Sequence, residues 1–411
     1  MLYTSILAAL TAATAVGAAS DKCSFSTTVK AATAISDLNS CETLDGTIKI
    51  TGDDLGDIDL SGVQEIKGDI NFFNSSSVTS INLNQLKKIS GSLAVNAYTQ
   101  LHSIDFTSLS EVEKLSLISL PSFAILNLNT GVSKAGSIEI SDTALSSLQG
   151  LTNYDTVKSL NVNNNKNITS IDLALQTVDE DLTLSFNSDD CEVKLNELIW
   201  SSNLTIQDVS DFSASNLTAV NGTLNIAYNK FDQFDLKELT NVGGSVLVFA
   251  NDEMTSFDLS SLKNIGGELR IFNNTELEDM NDTFKKLAKV KGAVNINGAF
   301  HNLTMPGLKE VDGDFTVVST SDEFSCQDFN KLKKNGDIEG HNYKCSAPKK
   351  EQSSKSNSSK SSSGSGSSSS DSSDSSSSSS SDSGKKKSGS TKTMAGMTFV
   401  FAVVGAVIAM A

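Results

Sequence analysis

Leu160-Asn161-Val162-Asn163-Asn164-Asn165, Leu182-Thr183-Leu184-Ser185-Phe186-Asn187 and Leu224-Asn225-Ile226-Ala227-Tyr228-Asn229 are one pattern written three times. Two apolar residues flank a polar one, and an asparagine follows three places later. The same ending recurs at Asn251 and Asn274. Apolar-polar-apolar alternation is the signature of a strand with one buried face. Working outward, the strand-like run returns along the whole body. It begins at Ile48-Lys49-Ile50, Ile70-Asn71-Phe72, Leu93-Ala94-Val95, Leu115-Ser116-Leu117 and Ile138-Glu139-Ile140. After the asparagine-bearing region it ends at Leu269-Arg270-Ile271, Val294-Asn295-Ile296 and Phe315-Thr316-Val317. The interval stays near 22 residues and ranges from 20 to 25. A fixed interval of this size predicts a solenoid, in which each interval is one coil.

Each coil carries a second run about 11 residues on, as at Ile58-Asp59-Leu60, Ile81-Asn82-Leu83, Ile104-Asp105-Phe106, Phe234-Asp235-Leu236 and Phe257-Asp258-Leu259. A third apolar pair often follows, as Leu86 and Ile89 or Leu239 and Val242. Glycine then precedes the next strand at Gly46, Gly68, Gly91, Gly136, Gly222, Gly244, Gly267, Gly292 and Gly313. Glycine there meets a need for positive φ or for close packing at a corner. A lone coil buries too few side chains to offset the entropy of ordering its backbone. The coils must stack, and the ends of the stack need caps. The expectation is a mainly β, right-handed solenoid over 20–348, divisible into two halves.

The parts on either side have other compositions. Ser5 to Ala15 is apolar and small, with Val16-Gly17-Ala18 behind it, so 1–19 reads as a secretory signal. Its first four residues lack Lys and Arg, which departs from the usual pattern. Cysteines then meet an oxidising compartment. Cys23 and Cys41 bracket the start of the body, Cys326 and Cys345 bracket its end, and that spacing points to two local disulfides. Cys191 is left over, as a buried thiol or a link to another chain. Residues 349–390 form a serine-rich stalk without the apolar residues a core requires. Residues 391–411 end in an apolar tail with nothing charged after it. Small residues and a short polar spacer before that tail fit a GPI-attachment signal better than a membrane span. Attachment is expected at Ser388 or Gly389, with Ser383 or Gly384 giving a spacer closer to the usual length. Sequons for N-glycosylation stand at Asn74, Asn167, Asn203, Asn216, Asn221, Asn273, Asn281, Asn302 and Asn357.

A net charge of −17 argues against nucleic acid as a partner. The histidines, His102, His301 and His341, occupy unrelated positions in the repeat, and there is no Cys-x-x-Cys spacing for zinc. Outward positions of the first strand hold a lone carboxylate, Glu139, where a glycosidase needs two. The second strand offers a column of Asp59, Asn82, Asp105 and Asn127, then Asp172, Asp235 and Asp258. It reads first as a polar face supporting turns, with a calcium ladder or an acidic catalytic row as the alternatives. Asp235 beside Asp258 is the pair to examine. The sequence points to no catalytic residue, metal or cofactor.

The asparagine-ended strand resembles the leucine-rich-repeat motif, in which buried asparagines bond the backbone of neighbouring turns. No helix pattern follows it here, so a strand-rich coil like the receptor L-domains is implied from about Cys23 to Cys345. The order of parts (signal, cysteine-bracketed repeats, serine-rich stalk, GPI tail) resembles the fungal GPI-anchored cell-wall-organisation glycoproteins, sporulation-specific wall proteins among them. That resemblance implies a non-enzymatic role in wall organisation and integrity. It also implies a place on the outer face of the plasma membrane, held by GPI lipid, or in the wall beside its polysaccharides. A receptor-like module for glycan or protein ligands is the first alternative, and a β-helix enzyme acting on polysaccharide the second.

Overall fold

The computed structural model describes residues 23–348 except Thr152. The expected signal, stalk and tail, and with them Asn357, Ser388 and Gly389, lie outside the described residues. Within them the chain is a parallel β-solenoid of about 13 turns. Equal spacing of the alternating runs brings each strand onto its counterpart. Ile48 pairs with Ile70, then Leu93, Leu115, Ile138, Leu160, Leu182 and Leu204 follow in register. Leu224, Val246, Leu269, Val294 and Phe315 continue the column. The result is one 21-stranded parallel sheet in which the third apolar pair also takes part, as Ile66 on Ile89 and Val242 on Ile265. Parallel strands need a connection that leaves the sheet and returns. The second run supplies its far wall, and the apolar residues of all three form a continuous buried core.

That far wall is broken. Its strands are two or three residues long, and they pair in four separate sheets. The interruption at the middle falls between Ile125–Asn127 and Ser170–Asp172. There the intervening coil fills the interior with Leu145, Leu148, Leu151 and Tyr154 and forms no second strand.

Both ends are closed in the same way. Helix α1 (Ala32–Asn39) buries Ile35 and Leu38, which lie on one helical face three residues apart. Helix α2 (Gln327–Asn335) buries Phe329 against Phe315 and ends on Gly336 at φ 90°, in the left-handed conformation a C-cap favours. A disulfide spans each helix, Cys23 to Cys41 and Cys326 to Cys345. Each disulfide thus ties the segment at an outermost strand, Ser24–Val29 or Tyr343–Ser346, to the segment at its helix.

Glycine acts mainly through close approach. A methyl group on Gly68 would lie 2.0 Å from the carbonyl oxygen of Gly46, and one on Gly340 would lie 2.1 Å from that of Gly313. Of the glycines singled out from the sequence, Gly46 alone has positive φ, at 87°. The positive-φ corner lies elsewhere, just after the main strand, and residues other than glycine fill it. Asn74, Ala97, Ser119, Asp142, Asn164, Phe186, Asp208, Tyr228, Ala250 and Asn273 all have φ between 52° and 59°. Each such residue costs of order 1 kcal/mol. The stack imposes the conformation: the N–H of Asn164, Phe186, Tyr228 and Ala250 donates to a carbonyl of the next coil at 3.1–3.2 Å.

Next to this corner stand the asparagines that end the repeat. Asn165, Asn187, Asn229, Asn251 and Asn274 are at most 4% exposed. Asn251 Oδ1 accepts from the backbone N–H of Asn229 at 3.0 Å and from its side-chain amide at 2.9 Å. Its own Nδ2 donates to the Ile226 carbonyl at 3.0 Å and to Asn274 Oδ1 at 3.1 Å. The ladder is interrupted at Val209 and absent from the first coils, where Ser75, Tyr98, Leu120 and Thr143 stand instead. Tyr98 replaces it by reach: its hydroxyl donates to the Ile50 carbonyl at 3.0 Å, two coils back.

Candidate functional surfaces

The second-strand column is a series of turns. Asp59, Asn82, Asp105, Asp235, Asp258 and Asp279 each accept, through Oδ1, the backbone N–H two residues on, at 2.8–3.2 Å. A side chain that closes such a turn supplies the bend that a strand this short cannot provide through pairing. Asp59, Asn82, Asp105 and Asn127 lie in register on successive coils. Farther along, Lys194 lies beside Asp172 and Ser213 beside Lys194, so the acids do not form an unbroken row.

Asp235 and Asp258 are neighbours in register. They border an open groove of about 760 Å³ that Asp211, Asp279 and Asp282 also line, over the rings of Phe234 and Phe257. Lys237 stands between the pair, bonded to Asp235 Oδ2 and 4.0 Å from Asp258 Oδ2. Bonding to Asp235 raises the Lys237 pKa, so the ammonium stays charged. The two carboxylates thus face one lysine, and each also closes a turn. Among the described residues no three of His, Cys, Asp and Glu converge as metal ligands.

The cysteine and histidines singled out from the sequence, and the single tryptophan, are dispersed. Cys191 is fully buried, and burial pushes its thiol up to about 11, which keeps it protonated and inert. His102 and His341 are exposed and His301 half-buried, each on a different coil. Trp200 is half-buried at the start of the strand Trp200–Gln207.

The outward face of the main sheet differs in chemistry. Beyond the middle of the stack its side chains are largely amides and hydroxyls, such as Asn161, Thr183, Thr205, Asn225 and Asn295. Along one edge of that face runs an aromatic stripe that the sequence reading missed. Phe186 and Tyr228, both at the left-handed corner, are 37% and 48% exposed. Their rings lie 6.3 Å apart, and Tyr228 meets Phe249 edge-on at 5.4 Å. Phe249 stacks on Phe272 at 4.9 Å with planes 2° apart, and the Arg270 guanidinium lies 5.3 Å from the Phe272 centroid. Aligning the repeats by their first apolar residue places these four aromatics at the fourth and fifth positions, which was the available signal.

The sequons are spread over several surfaces, and that of Asn273 directly follows Phe272 of the stripe. Asn74 and Asn273 occupy the left-handed corner, and Asn167, Asn216, Asn221, Asn281 and Asn302 are exposed on other turns and on the second-strand side. Asn203 accepts from the Thr223 N–H at 2.8 Å and donates to Asp181 at 3.0 Å, and Asn167 donates to the Ala144 carbonyl at 3.0 Å. The outward asparagines Asn71, Asn96, Asn161, Asn163, Asn225 and Asn295 begin no sequon, whereas Asn74 and Asn203, also on strands of the main sheet, do.

A continuous parallel stack, closed at both ends by disulfide-spanned helices and faced with polar side chains, defines a capped β-solenoid. No family model matches the chain. No solved structure matches it. Named relatives do. The chain is 53% identical to the cell surface GPI-anchored protein ECM33 of Candida albicans over 351 residues, 85% of this chain and 84% of the relative. It is 33% identical to the cell wall mannoprotein PST1 of Saccharomyces cerevisiae over 74% of this chain and 68% of that one. Sporulation-specific protein 2 of the same yeast is 32% identical over 71% of this chain and 58% of its own length. The chain belongs to this family of fungal cell-surface and cell-wall proteins.

Proposed function

We propose that the protein is a GPI-anchored glycoprotein of the fungal cell surface that organises the wall and maintains its integrity as a rigid scaffold, without catalysis. The continuous capped solenoid carries this reading, because it is a long stiff body whose facing Asp235 and Asp258 each close a turn beside Lys237. The names of the relatives, cell surface GPI-anchored protein and cell wall mannoprotein, support the location. In this reading 1–19 is removed on secretion and 349–390 is the stalk that lifts the solenoid. Residues 391–411 are exchanged for lipid at Ser388 or Gly389. The sequons from Asn74 to Asn302, with Asn357 on the stalk, carry solubilising sugar.

The test is rescue of a fungal strain that lacks its own member of the family and is sensitive to a wall-binding dye. The full chain restores resistance, and so does the chain with Asp235→Asn and Asp258→Asn together. A chain lacking 391–411 is secreted into the medium and does not restore it. Loss of rescue in the double Asn variant, with normal surface display, would overturn the scaffold reading in favour of chemistry at the groove. Phospholipase cleavage specific for GPI reports the anchor independently, by releasing the protein from intact cells.

A further inference from the structure

We infer that the outward face of the main sheet docks a neutral polysaccharide chain, seated along the aromatic stripe from Phe186 to Phe272. The inference rests on the wall location proposed above and adds a binding surface to it.

The stripe is costly where it stands. Phe186 and Tyr228 hold φ of 52° and 59°, a conformation that suits glycine or asparagine and burdens a bulky side chain. Their reward is not burial, since they rank among the most exposed large apolar side chains of the described residues. Strain of this kind, kept at exposed aromatics, marks a surface that meets something. Stacked with Phe249 and Phe272, the rings make an apolar ridge running from coil to coil. Beside the ridge lie the amides and hydroxyls of Thr183, Thr205, Asn225 and Asn295. A sugar ring divides in the same way, with an apolar C–H face and a rim of hydroxyls. An extended glycan therefore finds along the stack what each of its units requires.

Charge points to a neutral ligand. The protein carries −17 overall, yet the first outward position of the main strands holds few charges, Lys49, Glu139 and Arg270, scattered along its length. A strongly acidic polymer would meet a repulsive molecule with no basic patch on this face to receive it. A peptide adding as a strand needs an open sheet edge. Here each strand of the main sheet between the two end strands is paired on both sides, so the coils that carry the stripe offer no open edge.

The experiment uses the full chain, made in a glycosylating yeast and purified in detergent, sedimented with insoluble β-1,3-glucan, chitin or mannan in separate arms. The wild-type protein is expected to pellet with at least one of these neutral polymers. Phe249→Ala with Phe272→Ala should weaken binding about tenfold, as loss of well-placed aromatic contacts does. A second variant leaves the core and the stripe intact. Asn297→Thr creates a sequon at Asn295, beside the end of the stripe, and the added glycan should block binding. Asn129→Thr creates one at Asn127 on the second-strand side and should leave binding unchanged. Failure of the wild-type protein to bind any of the three overturns the inference. So does binding that ignores both the truncation and the Asn295 glycan, or self-association by light scattering that the same glycan abolishes while no polymer binds. Absence of binding with intact wall rescue sinks this inference alone and leaves the proposed function standing.

Discussion

The two long faces of the stack are built from the same repeats, and they use polar residues for opposite purposes. On the main sheet strand pairing runs from coil to coil with a few register shifts, so it satisfies most backbone amides and the outward side chains bond chiefly to one another. On the second face the strands are too short to sustain a ladder, and side-chain carboxylates and amides close the turns instead. An aspartate column that looks like chemistry in the sequence is therefore part of the frame. The plain-looking main face is the one free to meet a partner. A residue's availability for function depends on whether the backbone around it is already satisfied.

The comparison can be broken most severely at the ladder beside the main sheet. Asn251→Leu keeps the volume but strands the Asn229 backbone N–H, one N–H of its side-chain amide and the carbonyl of Ile226 in a dry interior. A loss of about 4 kcal/mol is expected in denaturant unfolding, since each unsatisfied buried group costs about 1–3 kcal/mol. If the variant unfolds at the wild-type midpoint, the ladder is not what holds the corner. Gly68→Val should follow closely, at about 3 kcal/mol or a failure of secretion, because the new side chain would overlap the Gly46 backbone.

The second face should respond more gently and with a particular selectivity. Asp258→Ala removes the acceptor for the Ser260 N–H and should cost about 1 kcal/mol, whereas Asp258→Asn, which retains that acceptor, should be close to neutral. Equal losses in the two variants would mean that charge, and not the turn, is the reason for the aspartate. The smallest effect concerns acid. Asp57 lies below its ordinary value of 3.8 because the Thr79 hydroxyl donates to it at 2.6 Å, helped by the Ser80 N–H. A depressed carboxylate adds stability above its unfolded pKa and loses it as pH falls through the folded one. Asp57→Asn should therefore flatten a slight decline in melting temperature below about pH 4, and leave the neutral value nearly unchanged.

The repeat was legible because alternation and interval are one-dimensional properties. Thirteen runs from Ile48 to Phe315 were visible as strands, and each pairs in register with its neighbours. The buried asparagines were legible as well, through their fixed distance from the strand. What could not be read was conformation without a compositional mark. The left-handed corner is filled by Asn, Ala, Ser, Asp, Phe and Tyr, and no single residue type announces it. The break in the second face was hidden for a related reason. Leu145, Leu148 and Leu151 keep the core filled while the backbone changes course, so hydrophobic content alone does not betray it. Nor did the acidic column show its purpose, because Lys237 stands between Asp235 and Asp258 only once the coil has closed.

By itself the amino-acid order determined that the chain would coil, how long each coil would be, which side chains would face inward and where cysteines could seal the ends. Those follow from local periodicity and the cost of leaving apolar side chains in water. Only the stacked structure decided which polar groups were consumed by the frame and which remained available. That depends on contacts between residues some 22 positions apart, and on backbone strain that a single coil would not tolerate but its neighbours enforce.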